Sequence, residues 1–429
     1  MPPVPAVQSL AIALGAGALV SLICQRFRVP PILALLATGL LLGRSGIHIV
    51  GTRNLGTALD SFITIVICIL VYEGALRLRG GHLSESRRAV LGLLTIGAAT
   101  TFVLASTAAH YLAGLSWPTA MLLGAILIVT GPTVVQPLLR RWRLLPRLSS
   151  TLWAEAILID PIGVLAVVAV LDFIKISLHA PGAPDGGSTI AWNIIIPTLA
   201  GPVIGAVAGL AGRTAVRAFS RRGEAGPMEM GLLGMGACML ATGLGELAAP
   251  QGGLVAATIC GLTMGEPWTR GATVLRQFKE QVSAILVGGV FVLLGSRFEL
   301  KHLAELDTGD YLFVAALVLI IRPASAFLAT QGSELTGRER TFVAFLAPRG
   351  VVAASVTALA ATGLAEAAEA AAADGTVNTA LEAAAAQAEH IRTLMMLIIL
   401  ITVTISTLGG LRFARWLEVD APGSPAPRH

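Results

Sequence analysis

Apolar runs of about 18 to 25 residues recur along the whole chain, and each is long enough to cross a hydrocarbon core about 30 Å thick. A backbone inside lipid must satisfy its own hydrogen bonds, so such runs fold as helices. Composition agrees with this reading: of 429 residues, 55% are hydrophobic and only 13% charged, and the mean hydropathy is +0.79. The expectation is an all-α polytopic membrane protein. Thirteen spans are expected, at roughly 8–24, 30–42, 57–76, 89–112, 119–138, 151–171, 192–212, 228–245, 253–264, 281–296, 311–329, 341–361 and 393–411. The membrane domain then covers residues 1–416, and 417–429 form a short cytoplasmic tail. The N-terminus, MPPVPAVQSL, lacks a positively charged n-region and leads into a first span rather than a cleaved signal.

An odd number of spans puts the termini on opposite sides. If the first inter-span loop, every second loop after it and the C-terminal tail lie inside, 22 of the 30 Lys and Arg residues fall on that side. Six fall outside (Arg44, Arg53, Lys175, Arg297, Lys301 and Arg392), and Arg322 and Arg349 lie within spans. The positive-inside rule therefore gives an outer N-terminus and a cytoplasmic C-terminus in an inner (plasma) membrane. The net charge of +5 and pI near 9.4 do not indicate nucleic acid, because the arginines sit in short clusters with no continuous basic, aromatic-bearing face. Cys24, Cys68, Cys238 and Cys260 each lie in an apolar stretch without paired spacing, so neither a disulfide framework nor a zinc site is expected. No cofactor is implied.

Two triplets of spans repeat. The fourth and fifth spans begin at about 89 and 119, and the eleventh and twelfth about 222 residues later. The third offset is longer because an Ala-rich acidic insert, Gly363–His390, comes before the last span. That insert suits a polar helix or mobile loop outside the membrane. The middle member of each triplet carries Pro and Gly in mid-span: VTGPTVV (Val129 to Val135) and APRGVVAAS (Ala347 to Ser355). Proline removes an amide donor and glycine permits unusual backbone, so both spans are expected to unwind at Gly131, Pro132, Pro348 and Gly350. The two middle spans start on opposite sides, which makes the triplets inverted repeats. Matched interruptions of this kind point to a secondary-transporter site at the midplane, while ordinary proline kinks are the plainer alternative.

Charged residues converge on the same depth. At 1.5 Å per residue, Asp160 lies roughly 14 Å in from the cytoplasmic end of its span, Thr130 and Gly131 roughly 17 Å from the outer end of theirs, and Arg349 about 12 Å from the inner end. A charge at the membrane centre is costly and usually serves function, which singles out Asp160. Glu155 and Arg322, both nearer the inner side, can meet as an ion pair that holds two helices together or touches the ion. Arg349 either supplies a fixed positive field or snorkels outward. Glu73 is a further candidate near the inner end of the third span, where an interfacial carboxylate is ordinary. His110 reads as interfacial, and Asp172 as the outer end of the sixth span.

Several segments together resemble a family. IVTGPTVVQPLLRR, WAEAILIDPIGVLAVV and FLAPRGVVAASV, with VYEGAL upstream and IIRPASAF on the eleventh span, are similar to the monovalent cation:proton antiporters of the NhaP/NHE type. The resemblance covers nearly the whole chain. It implies a homodimer in the lipid membrane, with a scaffold region and a six-helix core built from residues of about 89–171 and 311–411, in which the fifth and twelfth spans are unwound and cross at the ion site. By motif position, Asp160 resembles the family's essential aspartate, and Glu155 and Arg322 its ion pair. Thr130 matches the threonine whose neighbourhood coordinates the ion, and Arg349 matches the arginine of the Arg-Gly motif. Three common polar residues of the family are replaced here by Gly131, Ala156 and Ile159. A cation site in this chain would therefore rely on Asp160, carbonyls around Val129 and Thr130, Thr133 and water. The chain ends about a dozen residues after its last span, so the cytosolic regulatory domain of many relatives is not expected.

The expected activity is exchange of a monovalent cation for a proton by competition at Asp160 with alternating access, and no enzymatic activity. Burial and neighbouring positive charge pull a carboxyl's proton affinity in opposite directions, which lets such a group titrate near physiological pH. A single titrating carboxylate makes one-for-one, electroneutral exchange the simplest stoichiometry. Sodium is the first expectation, with lithium or potassium as alternatives. Readings from other classes are an ion channel using the same broken helices, or an intramembrane hydrolase using Ser45 in GRSG (Gly43 to Gly46) with His110 as base. No HExxH or GxGD motif supports the hydrolase.

Overall fold

The computed structural model describes residues 6–27, 31–51, 56–78, 86–178, 186–221, 227–249, 252–265, 272–297, 299–373 and 379–420. Helices account for nearly all of their regular structure. In chain order they are α1 (Ala6–Arg26), α2 (Pro31–Leu42), α3 (Gly56–Leu78), α4 (Arg87–Gly92), α5 (Ala98–Leu112), α6 (Trp117–Ile126), α7 (Pro132–Trp142), α8 (Pro146–Ser177), α9 (Gly186–Arg221) and α10 (Pro227–Ala248). They continue as α11 (Gly252–Met264), α12 (Ala272–Arg297), α13 (Leu300–Leu303), α14 (Thr308–Ala316), α15 (Arg322–Ala329), α16 (Gly337–Phe345), α17 (Val351–Ala373), α18 (Thr379–Ala386) and α19 (Ala388–Trp416). Two π-helical turns, Leu93–Gly97 and Leu317–Ile321, join α4 to α5 and α14 to α15. Among the described residues eight helices are long and apolar enough to cross a membrane, and five shorter apolar helices accompany them. The protein is an integral membrane protein, and exposed large side chains such as Leu19, Val203, Leu240 and Leu408 suit contact with lipid.

Contacts divide the chain into two compact units, residues 1–80 with 193–301 and residues 81–192 with 302–429. In the first unit, small residues let backbones touch. Gly17 of α1 lies directly against Gly288 of α12, where a Cβ on either would meet the other's backbone. Such close approach is how helices associate where lipid removes the hydrophobic drive between them. Glu73, a candidate near the inner end of the third span, is buried and accepts a hydrogen bond from Ser283 Oγ of α12. An acidic side chain inside a bundle needs such a donor.

The second unit holds both repeated triplets. α8 runs for 32 residues, well past the expected limits, so Asp172 sits inside the helix rather than at its end. The Ala-rich insert takes the helical form of its two expected alternatives. α17 continues through it to Ala373, α18 and the start of α19 take up its second half, and only residues 374–378 lie outside the described residues. Alanine is the strongest helix former, which explains the continuity. The insert is packed as well: Ala367, Ala371 and Leu381 are buried together against Leu178, Gln387 Oε1 accepts from Ser116 N at 3.0 Å, and His390 Nε2 meets the buried Asp310 Oδ1 at 2.9 Å. At the other end of α19, Val419 O accepts from Leu145 N at 3.0 Å and Glu418 pairs with Arg338, so the start of the expected tail is docked. The tail beyond Asp420 lies outside the described residues.

Candidate functional site

In the second unit the helical ladder is interrupted between α6 and α7 and again between α16 and α17. α6 ends at Ile126 and α7 begins at Pro132; α16 ends at Phe345 and α17 begins at Val351. Pro132 opens α7, where its missing N–H costs nothing. A break between two helices frees polar backbone groups that, once buried, must find partners. Here two hydrogen bonds join the breaks to each other. Gly131 N donates to Pro348 O at 3.0 Å, and the Arg349 guanidinium donates to Val129 O. The approach needs glycine: a Cβ on Gly131 would lie 2.6 Å from the Gly350 Cα. Arg349 is 2% exposed, so it does not snorkel. Val129 is the expectation that changes. Its carbonyl, anticipated as free for an ion, already accepts from Arg349 and has one lone pair left.

Asp160 stands at the middle of α8, beside Pro161, with no exposed surface. Proline at 161 has no N–H, so the Ile157 carbonyl loses its helical donor there. The neighbours of Asp160 on α8 pack against the first break. Ile159 clusters with Ile128 and Ala98, and a Cβ on Gly163 would collide with Val129. Thr133 Oγ1 lies 3.0 Å from where a Gly350 Cβ would sit. Both carboxyl oxygens of Asp160, and the hydroxyls of Thr130 and Thr133, are buried without a hydrogen-bond partner in the protein. Native proteins satisfy nearly all buried polar groups, so three such side chains in one region call for an explanation.

Glu155 Oε1 and Arg322 Nη2 form an ion pair at 2.7 Å, with side chains only 5% and 10% exposed. Arg322 follows directly on the π-helical turn Leu317–Ile321, and the matching turn Leu93–Gly97 occupies the corresponding place in the first triplet. One extra residue in a turn shifts the facing of everything after it, and such turns occur often at functional sites. Sequence reasoning missed both, because an apolar run such as LVLII looks the same wound as α or π. Behind the second break lies a cavity of about 20 Å³, bordered by Arg322, Ala347, Arg349, Thr402 and Ser406. His110 stacks on Trp117 at 4.2 Å, and its Nδ1 is held by Leu115 O at 2.7 Å, which leaves that nitrogen no role as a base for Ser45. Among the described residues no three His, Cys, Asp or Glu side chains form a metal-binding group.

The family model described as "Sodium/hydrogen exchanger, transmembrane" matches residues 10–419. Na(+)/H(+) antiporter 1 of Methanocaldococcus jannaschii is 26% identical over 363 residues, which cover 82% of each protein. K(+)/H(+) antiporter NhaP2 of Shewanella oneidensis is 25% identical over 344 residues, 78% of this chain but 57% of its own length. Among solved structures, the sodium proton antiporter MjNhaP1 of M. jannaschii superposes with a TM-score of 0.78 at 22% identity, covering 99% of both chains. That likeness shows the fold. The match across almost the whole length shows that this chain belongs to the sodium/hydrogen exchanger family, and that it is a secondary transporter exchanging a monovalent cation for protons rather than an enzyme.

Proposed function

We propose that Asp160 is the group at which cation and proton compete. The observation that carries this reading is the trio of buried, partnerless side chains, Asp160, Thr130 and Thr133, beside the meeting of two helix breaks. An ionised carboxylate buried without a partner is very costly. It is tolerable when neutralised by a proton or when it ligates a cation, and the two states exclude one another. Hard alkali cations take oxygen ligands. Asp160, the two threonine hydroxyls, the remaining lone pair of Val129 O and water form such a set. Arg349, held at the break, adds fixed positive charge that disfavours a second cation. Glu155 is committed to Arg322 and acts as a brace. One titrating carboxylate gives one cation per proton, hence electroneutral exchange.

Sodium is the proposed cation, in line with the M. jannaschii relatives; the potassium antiporters of Shewanella make potassium the second reading. We further propose thirteen spans, formed from the eight long and five shorter apolar helices. The fifth span (α6 with α7) and the twelfth (α16 with α17) would cross at their breaks within a six-helix core. The N-terminus would lie outside and the C-terminus in the cytoplasm, in a homodimer. Proteoliposomes carrying a pH-sensitive dye test the central claim. Wild-type protein should move protons on addition of sodium, without current, and Asp160→Asn should abolish that movement. Retained exchange in the variant would remove Asp160 from its role.

A further inference from the structure

The Arg349 backbone N–H lies in the second break, where α16 has ended and α17 has not begun, so the helical ladder offers it no acceptor. It donates instead to Thr402 Oγ1 of α19, at 3.2 Å. The direction of this bond is fixed. The Thr402 hydroxyl spends its own proton on Ile398 O, at 2.7 Å within α19, and so presents a lone pair to Arg349. The same arginine reaches Val129 O of the first break with its guanidinium. Thr402, Arg349 and Val129 thus form a chain of hydrogen bonds that runs from a continuous helix through one break to the other. The cavity of about 20 Å³ bordered by Ala347, Arg349 and Thr402 gives the break room to shift if that anchor is lost.

We propose that Thr402 is a positioning residue of the ion site: by accepting from the Arg349 amide it holds the guanidinium on Val129 O and so sets the spacing of the oxygens around Asp160. This rests on the reading of Asp160 as the exchange group. A buried donor that loses its acceptor seeks another, and small displacements of ligating atoms are costly to a bound ion. Thr402→Val keeps the shape and removes the acceptor, whereas Thr402→Ser keeps the acceptor.

Two measurements on the full chain separate this proposal from the reading it rests on. Hydrogen exchange by mass spectrometry on peptides covering residues 346–350, in detergent, needs no transport. Thr402→Val should speed exchange there about tenfold or more and Thr402→Ser should not, because opening rates follow the lost hydrogen bond. In proteoliposomes, Thr402→Val should raise the apparent KM for sodium about tenfold with a maximal rate within about twofold of wild type, and Thr402→Ser should restore it. Unchanged amide exchange in Thr402→Val would overturn the proposal whatever the transport result. Faster exchange with an unchanged KM would overturn it too, leaving Thr402 as a structural tie only. Sodium-driven proton movement that survives Asp160→Asn in a protein with Thr402 intact would instead remove the reading beneath, with the amide measurement still deciding whether Thr402 holds the break. Should Thr402→Val fail to fold, Thr402→Ala serves in both arms with the same outcomes.

Discussion

Glu155 and Asp160 lie five residues apart on one helix, which puts them about 140° apart around its axis. Only Glu155 has a partner. Its bond to Arg322 joins α8 to α15 in a setting too buried for water to replace either side chain. Removing one member leaves the other charged and stranded, which costs about 3 to 5 kcal/mol, while removing both costs much less than the sum. Glu155→Ala and Arg322→Ala should each lower the thermal midpoint in detergent by many degrees, and the double variant should recover a large part of the loss. Additive losses would mean that the pair is not a brace. Both carboxylates could be found in the sequence because charge is rare in an apolar run. That Arg349 would occupy the Val129 carbonyl could not, since a backbone oxygen leaves no trace in residue identity. The partner of Glu73 was hidden for a related reason: nothing in VYEGAL shows that Ser283, 210 residues away, is brought alongside.

At the scale of the element, the breaks were legible and the π-helical turns were not. Pro and Gly change what the backbone can do, so VTGPTVV and APRGVVAAS announce an interruption by composition. A π turn is one residue of extra winding, set by what packs around it, and nothing in LLTIG or LVLII requires it. The Ala-rich insert lay between these cases. Its helical propensity was visible, but its docking depends on Leu178, Ser116 and Asp310 from elsewhere in the chain. The meeting of the breaks makes its own prediction. A methyl group at Gly131 would lie 2.6 Å from the Gly350 Cα, and the nearest atoms are backbone, which cannot rotate away. Forced overpacking of this kind costs about 1 to 3 kcal/mol. Gly131→Ala and Gly350→Ala should each lose most sodium-driven proton movement in proteoliposomes while still inserting and purifying. Full activity in both variants would show that the breaks need not approach as closely as they do here.

For the whole molecule, the distribution of basic residues and the fold make separate claims that one labelling experiment can join. The positive-inside count sets the side of every loop without reference to packing. Arg338, 62% exposed at its side chain and paired with Glu418, lies at the start of α16, and Arg392, 43% exposed beside Glu389, follows α17 in the first turns of α19. If the interrupted pair α16 and α17 crosses the membrane once and the C-terminus is cytoplasmic, Arg338 faces the cytoplasm and Arg392 the outside. The native cysteines make this easy to read, because Cys24, Cys68, Cys238 and Cys260 are all buried and should react little with a membrane-impermeant maleimide. Arg338→Cys should then label only in inside-out vesicles and Arg392→Cys only in right-side-out vesicles. The opposite pattern would invert the topology while keeping the crossing. Labelling of both from one side would mean that α16 and α17 do not traverse the bilayer between them, and a midplane site at the meeting of the two breaks could not stand.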